Sequence, residues 1–439
     1  MASVDSRLAW PTRSSGPALR PDDQADGCGT ALYTAVVKEL SDEAALAQLT
    51  SLLDGAHFAS PDSIPAVVST AAAVLGWSAR IYLIDYEQRV LVPLLNGDGE
   101  NPEHQDVEAT LAGRAFRLIE PVNSEAADEP RLWVPLLDGV ERLGVLDLRF
   151  PPGTDLTDAS LGDQIRWFSH LIGHLIAAKS PYGDNFHRAR SGGQRSVASE
   201  LVWSLLPPLT MACHEVVISG LLEPAEQVAG DVFDYAMQDG VAHVAMFDAT
   251  GHDLHSSVIG SLALATYRNS RRRSNDLSSI ASRIDATLID YGTDTYATGV
   301  MGELDLASGI FRYVNAGHLS PLLLRAGKVV RSLDEGRRII LGFPGRSVEP
   351  AEEHLEPGDV LVLYTDGIVE ARDATRDFFG FDRFVDILEH SAAERRPAPE
   401  TLRRVVHRVL EHQGGVLQDD ASVLVLEWNA SRAHQLTAD

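Results

Sequence analysis

Cysteine is nearly absent from this sequence. Cys28 and Cys213 stand far apart, with no Cys-x-x-Cys pair and no Cys/His cluster. That excludes a disulfide framework and a thiolate metal site, and it fits a reducing compartment. Long apolar runs are missing too: the most apolar helical stretch, 170–178, is interrupted by His174 and falls well under the ~18 residues of a membrane span. Residues 1–15 hold no apolar h-region, so no signal peptide is expected and the expected location is cytoplasmic. Positive charge is scarce, with 37 Lys+Arg against 63 Asp+Glu and a net charge of −26. Such a surface repels phosphate backbones and anionic lipid, so neither nucleic acid nor a membrane is an expected partner. The one basic run, Arg271-Arg272-Arg273, reads as a solvated helix end. There is also no Gly-x-Ser-x-Gly elbow, no His-Glu-x-x-His pair and no Cys-x₅-Arg loop, which removes the commonest side-chain nucleophiles and the zinc-protease pattern.

What is present is globular composition, 44% hydrophobic and 23% charged over 439 residues, enough for two or three domains. Residues 1–30, with Pro11, Pro17 and Pro21, read as a disordered tail. Helical spacing follows over 31–53, and a second helix runs from Ser63, its N-cap, to Leu75. The period then changes to that of strands: 79–85 pairs with 89–95, a short helix occupies 111–118, and 132–137 pairs with 143–150 around Asp138-Gly139. This order, carried by the strand pair 132–137 and 143–150, resembles a GAF domain over 31–179, although PAS-like folds share the pattern. The resemblance implies a small-molecule sensor or a dimerisation module; a plain scaffold is the alternative. The helix 157–179 carries Leu161, Ile165, Phe168, Ile172 and Leu175 as one apolar stripe, able to dock on its own domain or on a second copy. A shorter helix, 196–206, ends at Pro207-Pro208. The expectation is a helical linker over 180–206 and a homodimer in which the helices 157–179 and 194–206 pair in parallel, with a catalytic domain at 207–430 and a tail at 431–439.

Four aspartates in the C-terminal half sit at the edges of strand-like runs: Asp231, Asp248 after 241–247, Asp366 after 360–365, and Asp419 before 421–426. A carboxylate at a strand end can project from the rim of a sheet. Several converging there repel one another unless divalent cations lie between them, which is the oxygen-rich donor set of a hard-cation site.

The order of motifs then becomes specific. Ser204-Leu-Leu-Pro207, Pro224-Ala-Glu-Gln-Val-Ala-Gly-Asp231, Phe247-Asp-Ala-Thr-Gly-His252, Tyr296-Ala-Thr298, Asn315-Ala-Gly-His318, Leu341-Gly342, Pro357-Gly-Asp-Val360, Tyr364-Thr-Asp-Gly367 and Asp419-Asp420 together resemble the stage II sporulation protein E type of the metal-dependent protein phosphatase 2C family. The resemblance implies an α+β chain whose C-terminal half is a four-layer αββα sandwich around two Mn²⁺ or Mg²⁺ ions. Carried over by position, Asp231 and Asp248 match carboxylate ligands, Asp248 the bridging one; Ala249 matches a ligating carbonyl; Asp366 and Asp419 match ligands of the second ion. Asp420 matches a residue beside the ligands. The implied activity is hydrolysis of phosphoserine or phosphothreonine by a water activated between two cations. The implied substrate is an anti-anti-sigma-factor-like phosphoprotein in bacterial partner switching.

Two positions depart from the family pattern: Ala229 stands where a glycine is usual, and Asp253 stands where the turn usually has its second glycine. His252 and His318 read as turn or hydrogen-bonding residues rather than ligands. A pseudophosphatase scaffold is the alternative function, and a two-metal nuclease or phosphodiesterase is opposed by the net charge and the lack of histidine ligands.

Overall fold

A computed structural model of the chain describes residues 43–95, 102–124, 129–191, 196–223, 230–249, 251, 254–273, 276–293, 295–343 and 348–428. The tails at 1–30 and 431–439, Cys28, the start of the first predicted helix, Pro224–Ala229, Thr250, His252 and Asp253 lie outside the described residues. The chain divides into two compact units, with the boundary at 192/193.

The first unit contains α1 (43–57), α2 (Ile64–Ala73), β1 (Ser78–Ile84), β2 (Val90–Pro93), β3 (Gln105–Asp106), α3 (Leu111–Leu118), β4 (Val122–Ser124), β5 (Arg131–Asp138), β6 (Glu141–Arg149), α4 (Ala159–Lys179) and α5 (Asn185–Arg190). Its strands form one antiparallel sheet in the order β3-β2-β1-β6-β5-β4. Alternate residues serve different faces, as the pleat requires. Ile81, Leu83, Leu146 and Leu148 join Ile64, Phe168 and Ile172 in one core, while Tyr82, Ile84 and Val145 meet Phe116 of α3 on the other. Both faces are covered, so these strands read as nearly continuous apolar runs. The α4 stripe is used here: Ile165, Phe168 and Ile172 are fully buried on their own sheet, and Leu161 and Leu175 pack beside them. Gly173 allows the close approach, because a Cβ there would lie 1.8 Å from the Leu137 carbonyl oxygen. Asp158 caps α4 by accepting from Ser160 N. Ser63 holds the N-cap position of α2 without capping it, its hydroxyl bonding Ser60 instead.

The second unit contains α6 (Val197–Leu205), β7 (Thr210–Ala212), β8 (Val216–Glu223), β9 (Asp231–Gln238), β10 (Val241–Ala249), α7 (Leu254–Arg271), α8 (Leu277–Tyr291), β11 (Ala297–Asp305), β12 (Ile310–Ala316), β13 (Leu322–Arg325), β14 (Lys328–Ser332), β15 (Arg337–Arg338), β16 (Ala351–His354), β17 (Val360–Tyr364), α9 (Asp366–Val369), α10 (Phe381–Ala393), α11 (Ala398–His412) and β18 (Ala421–Trp428). One sheet runs β15-β12-β11-β10-β9, with β16 on β12; the other runs β14-β13-β17-β18-β8-β7. The β9–β10 hairpin turns at Asp239 and Gly240, both at positive φ (51° and 78°), as a type I′ turn demands.

The two sheets share one core. Phe233, Val244, Met246 and Val300 from the first meet Ile218, Leu361, Leu363, Leu424 and Leu426 from the second. Residues of opposite parity point outward: Val362, Tyr364, Val423 and Val425 pack with Phe384, Leu402 and Val406 of α10 and α11, and α7 and α8 cover the first sheet. The result is the α/β/β/α order expected from the sequence. Each fully buried Leu, Val or Phe stabilises it by roughly 1.5–3 kcal/mol. Helix α6, expected as linker, contributes Ala198 and Val202 to this core.

Candidate metal centre

The predicted aspartates gather where the strand ends of the two sheets meet. Asp231 is the first residue of β9 and Asp248 the second-last of β10, and the register pairs them directly. Asp248 in turn faces Thr298 on β11, so the three lie in a row with side chains on one face, ~5 Å apart. Parity identifies that face. Asp231 alternates with Phe233, whose ring approaches Gly220 of the opposite sheet, so the row looks toward the space between the sheets. From the other side come Thr365 and Asp366, directly after β17, and Asp419 and Asp420, directly before β18.

Asp420 organises the junction. Its Oδ2 accepts from Gly230 N at 2.7 Å and from Asp231 N at 3.3 Å, joining the start of β9 to the start of β18 across the sheets. Gly230 is needed for this approach, since a Cβ would lie 2.6 Å from the Ala249 carbonyl oxygen. Gly367 is needed as well, because its Cβ would lie 2.0 Å from the Asp420 carbonyl oxygen. Asp419 Oδ1 accepts from Asp420 N at 2.9 Å. Ala249 is buried, and its amide donates to the Gly230 carbonyl at 3.2 Å.

The electrostatics are those of uncompensated charge. Asp231 is 3% exposed, and its Oδ2 has no hydrogen-bond partner. Burial, then the charges of Asp248 and Asp420, hold its carboxyl well above the usual carboxylate range, while the hydroxyls of Ser422 and Thr365 work against them. Burial, followed by Asp366, Asp419 and Asp420, pushes Asp248 up to about 7. Among the described residues no Lys or Arg lies against either carboxylate. An oxygen-only donor set with an orphaned buried oxygen fits a divalent cation. The side chains are not drawn into a finished coordination sphere: among the described residues no three His, Cys, Asp or Glu stand together as a metal-holding group.

Sequence reasoning did not find Thr365, Ser422 or the bonding role of Asp420. They are joined to the start of β9 by contacts across roughly 130 to 190 positions, and only alternation within β17 and β18 hinted that Thr365 and Ser422 face inward. His318 is placed in a hydrogen bond, its Nδ1 lying 2.8 Å from Thr298 Oγ1. Among the described residues, no helix is long and apolar enough to cross a membrane.

The sequence profile of the stage II sporulation protein E family matches residues 238–429. Two curated relatives are similar. Protein IcfG of Synechocystis is 22% identical over 299 residues, covering 61% of this chain and 46% of that protein. Phosphoserine phosphatase RsbU of Bacillus subtilis is 22% identical over 269 residues, covering 58% of this chain and 79% of the relative. The chain thus spans less than half of the first. Among solved structures, the RsbU and RsbW domains of Rv1364c from Mycobacterium tuberculosis share 24% identity with a TM-score of 0.44, covering 50% of this chain and 62% of that one. The SiaA-PP2C domain of Pseudomonas aeruginosa shares 24% identity with a TM-score of 0.43, covering 48% and 85%. Over residues 238–429, then, this chain is similar to the stage II sporulation protein E family.

Proposed function

We propose that the C-terminal unit is a Mn²⁺- or Mg²⁺-dependent phosphoserine/phosphothreonine protein phosphatase. The observation that carries this reading is the row of buried, cation-free carboxylates at the meeting strand ends, above all Asp231 with its orphaned Oδ2. In this reading Asp231, Asp248, Asp366, Asp419 and the Ala249 carbonyl hold two ions. When bound, such ions supply neutralisation of the phosphoryl oxygens and acidification of a water, chemistry that needs no side-chain nucleophile. Asp420 holds the backbone of Gly230 and Asp231 so that the Asp231 carboxylate faces inward. Ser422 and Thr365 offer hydroxyls to that same carboxylate. The site also supplies local attraction for a phosphoryl group that the overall charge of −26 denies.

The substrate in this proposal is a phosphorylated anti-anti-sigma-factor-like protein acted on in the cytoplasm; the named activity of the relative RsbU, a phosphoserine phosphatase, supports that class. The domain plan we propose is a GAF-like sensor built on 31–179 and a catalytic domain built on 207–430, with the segment expected as a linker, 180–206, divided between them: α5 packs in the first unit and α6 in the core of the second. The sheet order of the first unit supports the sensor reading. The α4 stripe is occupied by its own sheet, so pairing of two copies would have to use other surface, such as the exposed Trp167; light scattering at micromolar concentration decides it.

The test is Mn²⁺-dependent phosphate release from a phosphoserine peptide, wild type against Asp366→Asn. The expected result is activity that requires Mn²⁺ and collapses in the variant. No activity in the wild type or in a 193–439 fragment, which keeps α6, with excess Mn²⁺ would instead favour the pseudophosphatase scaffold.

A further inference from the structure

His318 is only 4% exposed, and its ring is the hydrogen-bonding group expected from the sequence rather than a part of the turn. The Asn-Ala-Gly-His turn is closed without it. The His318 backbone amide donates to Asn315 Oδ1 at 2.8 Å, and Gly317, at φ +71°, makes the turn and bridges Gly299. The imidazole is left for another task. Its Nδ1 lies 2.8 Å from Thr298 Oγ1, and Thr298 is the cross-strand neighbour of Asp248. Its Nε2 is buried and makes no well-aligned hydrogen bond, the ring's remaining polar contact being with the backbone of Tyr364. Beside the ring runs the backbone of Tyr364, the last residue of β17, which leads through Thr365 into Asp366. Burial holds the ring's pKa at about 4, so it is neutral at physiological pH.

We propose that His318 is a positioning residue that spans the two sheets at their acidic end, holding the Thr298–Asp248 strand pair against the Tyr364–Asp366 segment and so fixing the spacing of the Asp248 and Asp366 carboxylates. The inference rests on the phosphatase reading and adds to it a residue that touches neither ion nor substrate. A neutral ring suits the task, because it bridges without adding charge to a site that must attract cations.

The test is calorimetric titration of Mn²⁺, together with the Mn²⁺ dependence of phosphate release, for wild type, His318→Leu, His318→Asn, Thr298→Val and the Leu/Val double variant. Expected is at least a roughly tenfold weakening of Mn²⁺ binding in His318→Leu, the scale seen when a partner orienting a ligand is lost, with the phosphopeptide KM unchanged. His318→Asn, whose amide can still reach Thr298, recovers most of the affinity. Thr298→Val reproduces the loss, and the double variant is no worse than either single one, the mark of one shared interaction. Wild-type Mn²⁺ affinity in a folded His318→Leu would overturn the proposal, as would a lowered melting point with Mn²⁺ binding untouched. Should His318→Leu fail to fold, wild-type affinity in Thr298→Val overturns it equally. A wild type that binds no Mn²⁺ would overturn the phosphatase reading and this inference together; normal wild-type binding with unaffected variants overturns this inference alone.

Discussion

Asp231 and Asp234 lie three residues apart on β9, and each is almost wholly buried, at 3% and 2% exposure. Their surroundings are opposite. Asp234 points toward α7, where Arg268 Nη2 donates to its Oδ1 and Arg271 Nη1 to its Oδ2, both at 2.7 Å. Arg268 also donates to the Leu205 carbonyl at 2.7 Å, so the pair ties α6, α7 and β9 into one piece. Asp231 points the other way, between the sheets, where among the described residues it finds further carboxylates and no Lys or Arg. One strand therefore carries a carboxylate that serves the fold and one that costs the fold stability. A buried charge left without a partner is tolerated where function requires it. In the first unit the buried Asp147 follows the structural pattern, held by Arg131 through bonds of 2.7 and 3.0 Å.

The contrast can be broken by substitution. The largest expected effect is on activity: Asp231→Asn or Asp248→Asn should lower Mn²⁺-dependent phosphate release by roughly a thousandfold or more, since a bound cation supplies several kcal/mol of charge stabilisation. The metal-free Asp231→Asn protein should be no less stable than wild type in urea unfolding, because an unpaired buried charge has been removed. Asp234→Ala should do the reverse to stability, costing about 3–5 kcal/mol by stranding Arg271, itself 8% exposed, without its partner. Equal destabilisation by both substitutions would erase the distinction.

A smaller effect concerns pH. His243 on β10 lies near the same ion pairs. Burial, then the charge of Arg271, hold its pKa at about 4, against an ordinary 6.5. As pH falls from 6.5 toward 4 the unfolded chain takes up the proton first, so folded stability declines through that window and is unaffected above it. His243→Asn should flatten this part of the stability–pH curve, read from urea midpoints at pH 7, 5.5 and 4.5. The smallest effect expected is in Asp420→Asn, which keeps an acceptor for Gly230 N but gives up a charge. Mn²⁺ half-saturation should rise by about tenfold with little change in stability.

Much of this was legible in the sequence because it is local. The hairpin around Asp138-Gly139 and the strand-end positions of the four aspartates follow from turn chemistry and period. The extent of β9 did not, since Asp231 and Asp234 make its first half look polar until Arg268 and Arg271 are brought to it from a helix more than thirty residues away. Pairings across the sheets, such as Asp420 with Gly230, leave no periodic trace. The α4 stripe was legible as apolar, but its partner was not: periodicity reports that a face is buried and cannot say against what.

The most direct test of the central account, that divalent cations compensate the acidic strand ends, is the thermal midpoint of metal-free protein with and without Mn²⁺, for wild type, Asp231→Asn and Asp234→Ala. A ligand bound only by the folded state raises the midpoint. The account predicts a Mn²⁺-dependent rise in wild type, a rise retained in Asp234→Ala from its lower starting point, and none in Asp231→Asn. An unchanged wild-type midpoint at saturating Mn²⁺, or an equal rise in Asp231→Asn, would contradict it.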